Sequence, residues 1–175
     1  MKKKNGSART ALAGMLAALS VVVLFIGAVT GVMDLTGICV ASAFTAIAVV
    51  ELGGAYPWLI WAVTTVISFI LLPDKSVAAT YAMFGGVYPM LKLYFERLSR
   101  IAEWAAKLGY GVVVLGVLYA LSRFVFGIPQ ETGWLMMGLG VGYAVFFVVY
   151  DYALSVAMAM YMRRLRPKLT FLRKM

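Results

Sequence analysis

The side chains with the clearest capacity for chemistry are a lysine and an aspartate set in apolar sequence. Asp151 lies within Val148-Val149-Tyr150-Asp151-Tyr152, and Lys92 ends the run Tyr88-Pro89-Met90-Leu91-Lys92. An ionisable group at membrane depth needs a partner, a water-filled cavity or an interface. Because the two residues are expected at similar depth, we predict that they form a buried ion pair. The alternative is that Lys92 reaches the cytoplasmic headgroups alone.

Catalysis has little support in the residue types. The chain contains no histidine and one cysteine, Cys39, which argues against disulfides, Cys/His metal sites and histidine bases. Asp151, Glu96 and Glu51 are the plausible acids of an intramembrane enzyme, but no Ser/Lys dyad lies at matching depth. The sequence also lacks a Gly-x-x-x-x-Gly-Lys-Ser/Thr phosphate loop. We expect neither an enzyme nor a bound cofactor or metal.

The elements that must position these side chains are predicted to be membrane helices. Of the 175 residues, 63% are hydrophobic and 13% are charged, against about 25% charged residues in a soluble domain. A spanning helix uses about 20 apolar residues. We therefore predict an all-α polytopic membrane protein with one transmembrane domain over residues 1–175. Its compact bundle would contain six helices, at about 8–30, 35–50, 56–72, 77–98, 102–126 and 134–164.

The N-terminal segment is predicted to be a membrane helix rather than a signal peptide. Lys2, Lys3 and Lys4 followed by apolar residues resemble a signal peptide, but the apolar stretch 11–29 exceeds the usual 7–15 residues and has no clear A-x-A cleavage site. It is therefore counted as the first span.

The fourth helix contains Gly85, Gly86 and Pro89, and a kink is expected there.

The distribution of positive charge predicts the orientation. With a cytoplasmic N-terminus, 14 of the 16 Lys and Arg residues fall on the inner side, and Lys75 and Arg123 fall outside. This bias predicts a multi-pass protein of the cell membrane with both termini in the cytoplasm. Because each basic cluster flanks an apolar run, the net charge of +9 is interpreted as a topology signal rather than as a nucleic-acid surface.

Aromatic and polar residues at the outer ends of helices four to six indicate a ligand pocket open to the exterior. Aromatic walls with a few convergent polar groups suit a small molecule. An aromatic belt at the headgroup level explains several of these residues equally well. The residues at this depth are Tyr81 and Phe84 on helix four, Tyr119 and Arg123 on helix five, and Trp134, Met137 and Tyr143 on helix six.

Small residues on the first helix predict a close helix contact. Ala13 with Ala17, and Gly14 with Ala18, are spaced i, i+4, which lets another helix approach closely. That helix could belong to this chain or to a partner.

The basic N-terminus leading into 14–19 (Gly-Met-Leu-Ala-Ala-Leu), the six compact helices and the basic C-terminal tail resemble the substrate-binding S component of energy-coupling factor transporters. The stretches 72–75 and 84–92 are similar to an uncharacterised subgroup of that family. The resemblance implies that Ala13, Gly14, Ala17 and Ala18 dock onto a transmembrane coupling subunit driven by two cytoplasmic ATPases. It also implies that the chain lies in a bacterial cell membrane and binds a vitamin or similar micronutrient in an outward-facing pocket of helices four to six and the loop between helices one and two. The substrate-binding candidates are then Asp34, Tyr81, Phe84, Tyr119, Arg123, Trp134 and Met137.

Two other classes of function remain open. The chain is also similar to the small rod-shape-determining membrane proteins, which use a related helical fold as a non-transporting scaffold, and an outer half without a cavity would favour that function. A channel would need a ring-forming polar stripe or a filter sequence, and the chain shows neither.

Overall fold

The computed structural model describes residues 4–31, 33–124 and 133–166, and all regular structure in them is helical. This confirms the predicted all-helical fold. The helices are α1 (Lys4–Thr30), α2 (Asp34–Glu51), α3 (Tyr56–Leu71), α4 (Lys75–Thr80), α5 (Tyr88–Phe95), α6 (Arg100–Phe124) and α7 (Gly133–Met160). Two π-helical segments, Tyr81–Gly85 and Tyr161–Leu165, continue α4 and α7.

Four helices in the described part of the chain are long and apolar enough to cross a membrane. They cover Gly6–Thr30, Asp34–Glu51, Arg100–Leu121 and Gly140–Arg164. The apolar helix α3 is shorter, at 16 residues. The remaining predicted span, 77–98, is not one continuous helix.

That span is interrupted at its centre. The backbone passes from α4 through Tyr81–Gly85, and α5 begins only at Tyr88. A side chain at Gly85 or Gly86 has no room, since a Cβ there would overlap Ile38 or Trp61 respectively. A π-helical turn leaves backbone carbonyls without their usual partners, and Trp61 donates its Nε1–H to one of them, Ala82 O, at 2.9 Å. The predicted kink is therefore an interruption of the helix, and the indole of Trp61 stabilises it through this hydrogen bond.

Glycines with positive φ make two of the tight connections. Gly31 has φ +65° and follows α1, whereas Gly53 and Gly54, at +59° and +57°, join α2 to α3. Left-handed backbone is costly for residues with a Cβ. These glycines lie in the gaps between the predicted helices 8–30, 35–50 and 56–72.

The chain divides into two compact units, although the sequence predicts one domain. Unit 1 contains residues 1–90 and 154–175, and unit 2 contains residues 91–153. The boundaries fall within α5 and α7.

Unit 1 is built on a close contact between α1 and α2. A Cβ added at Gly27 would lie 3.1 Å from the carbonyl oxygen of Met33, and one at Gly37 would lie 3.2 Å from that of Val23. The two backbones can approach because neither glycine has a side chain, which is the usual packing of helices in lipid. Further along, α1 packs its residues Ala13, Leu16 and Ala17 against α2 and α3.

Two polar contacts bring three helix ends to one end of unit 1. Arg9, near the start of α1, donates from its guanidinium to Leu52 O, which follows α2, at 2.5 Å. Arg166, after α7, places its Nε 3.0 Å from Glu51 Oε1 at the end of α2. The start of α1, the end of α2 and the end of the described C-terminal segment therefore share one side.

The helices α6 and α7 bury less surface than α1 and α2. In the most apolar 18-residue window of each candidate span, 39% of residues are buried in α1 and α2, against 17% in α6 and 22% in α7. Within unit 2, Gly111 of α6 lies against the ring of Phe147 of α7. Phe95 and Tyr110 pack with ring centroids 6.3 Å apart.

Candidate functional site

The small residues of α1 divide between two environments. Ala13 and Ala17 are buried and belong to the contact with α2 and α3. Gly14 and Ala18 are exposed, and a Cβ added at Gly14 would meet nothing within 4 Å. One pair therefore packs inside this chain, and the other pair is open to lipid or to a partner.

Beside the open pair, a groove of about 610 Å³ runs between α1 and α3. Its hydroxyl-bearing residues are Thr10 and Tyr56, and Thr10 donates its hydroxyl to Gly6 O of its own helix at 3.1 Å. The rest of the lining is apolar. We call this feature the α1–α3 groove; it is lined by Thr10, Ala13, Gly14, Ala17, Ala55, Tyr56, Leu59, Ile60 and Val63.

Arg9 lies at one end of the α1–α3 groove. Its guanidinium carbon is 5.5 Å from the centre of the Tyr56 ring, which is part of the lining. The hydrogen bond to Leu52 O holds the same guanidinium from the other side. Arginine stacked on tyrosine is typical of the membrane–water interface, where one face is apolar and the other is wet. The groove therefore has a cationic end and apolar walls.

A second polar feature lies within unit 2 and joins α5, α6 and α7. Lys92 contacts Asp151 Oδ1 with its ammonium group and also donates to the backbone oxygen of Asp151 at 3.0 Å. Lys107 lies 2.9 Å from Asp151 Oδ2 and 2.7 Å from Glu103 Oε1. Glu96 completes the set, 3.4 Å from Lys92. We call these five residues the ion network.

The ion network is balanced in its buried part. Lys92, Lys107 and Asp151 are 6%, 3% and 7% exposed, and Glu103 is 22% exposed, so two positive charges face two negative ones. Glu96 is 44% exposed and is mostly solvated. Separating the helices would leave charges in lipid, which is costly. The ion network therefore holds α5, α6 and α7 together.

The structure places the residues of the predicted ion pair, Lys92 and Asp151, in direct contact, and it adds partners that the sequence reasoning missed. The charge distribution assigns Lys107 only to the inner basic residues, because it falls near the start of the predicted helix 102–126. A signal was present in the spacing, since Glu103 precedes Lys107 by four residues, which puts both on one helix face. Lys92 and Lys107 are therefore partners in the ion network, in addition to being counted among the positive charges predicted for the inner side.

Two predicted ligand-binding residues, Tyr81 and Phe84, are part of the packing of unit 1. Both are essentially unexposed. The Tyr81 hydroxyl lies 3.1 Å from Thr45 Oγ1, and Phe84 stacks on Tyr88 with ring centroids 5.9 Å apart. Neither ring reaches the surface of the described part of the chain. The extra residue of the π-helical turn changes which side chains face the core, and this change cannot be read from an α-helical period.

The other predicted ligand-binding residues are not brought together by any described contact. Asp34 opens α2, and its Oδ1 is buried without a hydrogen-bond partner among the described residues. Tyr119, on α6, is 40% exposed. Arg123, Trp134 and Met137 lie outside the residues whose side chains the structure describes.

No known protein family, curated protein or solved structure matches this chain. Among the described residues, no three His, Cys, Asp or Glu side chains are grouped closely enough to hold a metal ion.

Proposed function

We propose that this chain is the substrate-binding membrane subunit of an energy-coupling factor uptake transporter. It would span a bacterial cell membrane with both termini in the cytoplasm and bind a vitamin or similar micronutrient. A transmembrane coupling subunit and two cytoplasmic ATPases would supply the energy. The proposal rests on the sequence resemblance together with one structural observation.

That observation is the open small-residue face of α1. Gly14 and Ala18 are exposed, and a Cβ placed on Gly14 would have no neighbouring atom within 4 Å. In lipid, helices associate through close packing at small residues because there is no hydrophobic drive between them. A face of this kind suits the docking of another transmembrane helix at the position to which the resemblance assigns the coupling subunit.

Two further observations support the proposed orientation. The contacts from Arg9 to Leu52 and from Arg166 to Glu51 put the start of α1 and the end of the described C-terminal segment on one side of unit 1. The sequence segments at both of these ends are rich in Lys and Arg, as cytoplasmic segments of membrane proteins are.

Substrate would be captured on the other side of the membrane. The proposed ligand-binding residues that remain available are Asp34, Tyr119, Arg123, Trp134 and Met137, of which Asp34 has a buried carboxylate oxygen without a described partner. ATP hydrolysis would take place on the partner subunits, consistent with the missing phosphate loop in this chain.

The coupling half of the proposal is tested by affinity isolation of the tagged chain from membranes of its own cell. We expect an integral membrane protein and a phosphate-loop ATPase to co-purify in defined ratio, and to be lost from Ala18→Leu. Gly116→Leu on α6 is the matched control, because a side chain there also meets nothing within 4 Å. Isolation of the chain without any ATPase, under conditions in which it stays folded, would contradict the proposal.

A second function is favoured by a specific observation. Tyr81 and Phe84 are fully buried in the packing of unit 1, as expected of a scaffold that binds proteins rather than ligands. Such a chain would co-purify with cell-shape or division proteins, would carry no small molecule, and would need no ATPase.

A further inference from the structure

The α1–α3 groove and Arg9 together form a site that shares Gly14 with the open small-residue face of α1 and otherwise lies outside it. We propose that this site binds one phospholipid of the cytoplasmic leaflet, with an acyl chain in the groove and the phosphate on Arg9. The inference does not depend on the identity of any partner subunit.

The shape and lining of the groove fit a hydrocarbon chain. Its α1 wall runs from Thr10 to Ala17, which is about 10 Å along the helix axis at 1.5 Å per residue. The small side chains of Ala13, Gly14 and Ala17 make the groove deep, and the α3 wall is formed largely by branched aliphatic residues. The Thr10 hydroxyl is bonded to its own helix. The described α1 wall therefore presents no free polar group that would reject an alkyl chain.

The charge at the end of the groove selects the headgroup. Arg9 donates one N–H to Leu52 O and rests on the Tyr56 ring, so its guanidinium is held in place before a ligand arrives. Guanidinium groups bind phosphate through paired hydrogen bonds. In the proposed orientation this end faces the cytoplasmic leaflet, whose anionic lipids attract basic residues. The charge and the apolar groove thus point to a phospholipid rather than to a partner helix in the isolated chain.

The site and the proposed docking face overlap only in part. Gly14 belongs to both, Arg9 belongs to the lipid site, and Ala18 does not line the groove. A coupling subunit that docks on α1 would displace the acyl chain. Arg9 and Ala18 variants therefore separate the two proposals.

Native mass spectrometry of the full chain tests the site. The delipidated protein is titrated in detergent with phosphatidylglycerol carrying two acyl chains of about 16–18 carbons, enough to fill the groove and continue into the bilayer, and in parallel with the corresponding diacylglycerol, which has no phosphate. We expect one phosphatidylglycerol to bind before any others and diacylglycerol to bind more weakly. Arg9→Gln should weaken that first site about tenfold, as expected for the loss of a charge-assisted hydrogen bond. Gly14→Leu, whose Cβ has no neighbouring atom within 4 Å and whose longer side chain occupies part of the groove, should remove it.

Two control variants match these changes. Arg97 also stacks on a tyrosine, Tyr94, at 6.0 Å, so Arg97→Gln removes the same pairing away from the groove. Gly116→Leu adds the same side chain to α6. Both should keep the first site. Equal binding by wild type, Arg9→Gln and Gly14→Leu would show ordinary lipid contact and overturn the proposal. Dimers that disappear in Gly14→Leu, without a tightly bound lipid, would assign the groove to a second copy and overturn it as well.

Discussion

Neutralising Asp151 is the most informative perturbation of unit 2, because both buried lysines use this carboxylate. In Asp151→Asn, the described carboxylate left near Lys92 is that of Glu96, which is 3.4 Å away and 44% exposed. Lys107 would keep Glu103 at 2.7 Å. Removing one partner of a buried ion pair costs about 3–5 kcal/mol. Because one lysine remains well paired, we expect the lower end, about 3 kcal/mol, or roughly a 100-fold shift in the unfolding equilibrium.

The assay is reversible unfolding by SDS in mixed micelles, followed by tryptophan fluorescence. Trp104 is a probe within unit 2, since its ring lies 5.6 Å from the Lys107 ammonium. Hydrogen exchange of α6 provides a second readout. The double variant Asp151→Asn with Lys92→Met also removes the ammonium group that contacts Asp151, and it should recover part of the lost stability, because Lys107 and Glu103 still neutralise each other. Glu96→Gln, at an exposed position, should change stability by less than about 1 kcal/mol.

Two results would contradict the proposed role of the ion network in stability. If Asp151→Asn were as stable as wild type, the ion network would contribute nothing to the attachment of α5, α6 and α7. If the Lys92→Met change added its own loss to that of Asp151→Asn, Lys92 would have a role independent of the aspartate.

Further predictions concern the close contacts of unit 1, each measured by SDS unfolding of the purified chain. Gly86→Ala should destabilise the fold strongly or prevent folding, because its Cβ would overlap the Trp61 ring; normal stability would contradict the break described above. Trp61→Phe should cost about 1 kcal/mol through loss of the hydrogen bond to Ala82 O, and an unchanged midpoint would contradict that role. Gly27→Ala should be clearly destabilising and Gly14→Ala should be neutral, since only the first side chain meets backbone atoms; equal effects would contradict the packing of α1.

The sequence is sufficient to predict that this chain is helical and to locate its long helices, because the length of an apolar run follows from the bilayer thickness; the interruption of the span 77–98 is a detail that run length does not show. The contact between Lys92 and Asp151 can also be predicted from the sequence, since the depth of a charge along a membrane helix follows from counting residues. The predicted boundaries of α1, α2 and α3 lie within a few residues of those in the structure.

Features that depend on the rotation of a helix about its own axis cannot be predicted from this sequence. The i, i+4 spacing gives two equivalent small pairs on α1, and nothing in it distinguishes the pair that faces α2 and α3. Depth places Tyr81 and Phe84 in the candidate pocket, but depth does not show which way a side chain faces; both lie in the core, at a π-helical turn. The network role of Lys107 is hidden because a lysine near a helix end usually extends to the headgroups.

The central claim, that the chain binds a small molecule for uptake, is tested most directly by native mass spectrometry of the purified protein with metabolite extraction. We expect one co-purifying micronutrient per chain, lost in Arg123→Ala or Trp134→Ala and retained in Arg97→Gln. A folded chain that carries no small molecule and co-purifies with cell-shape or division proteins would contradict the claim and favour the scaffold function.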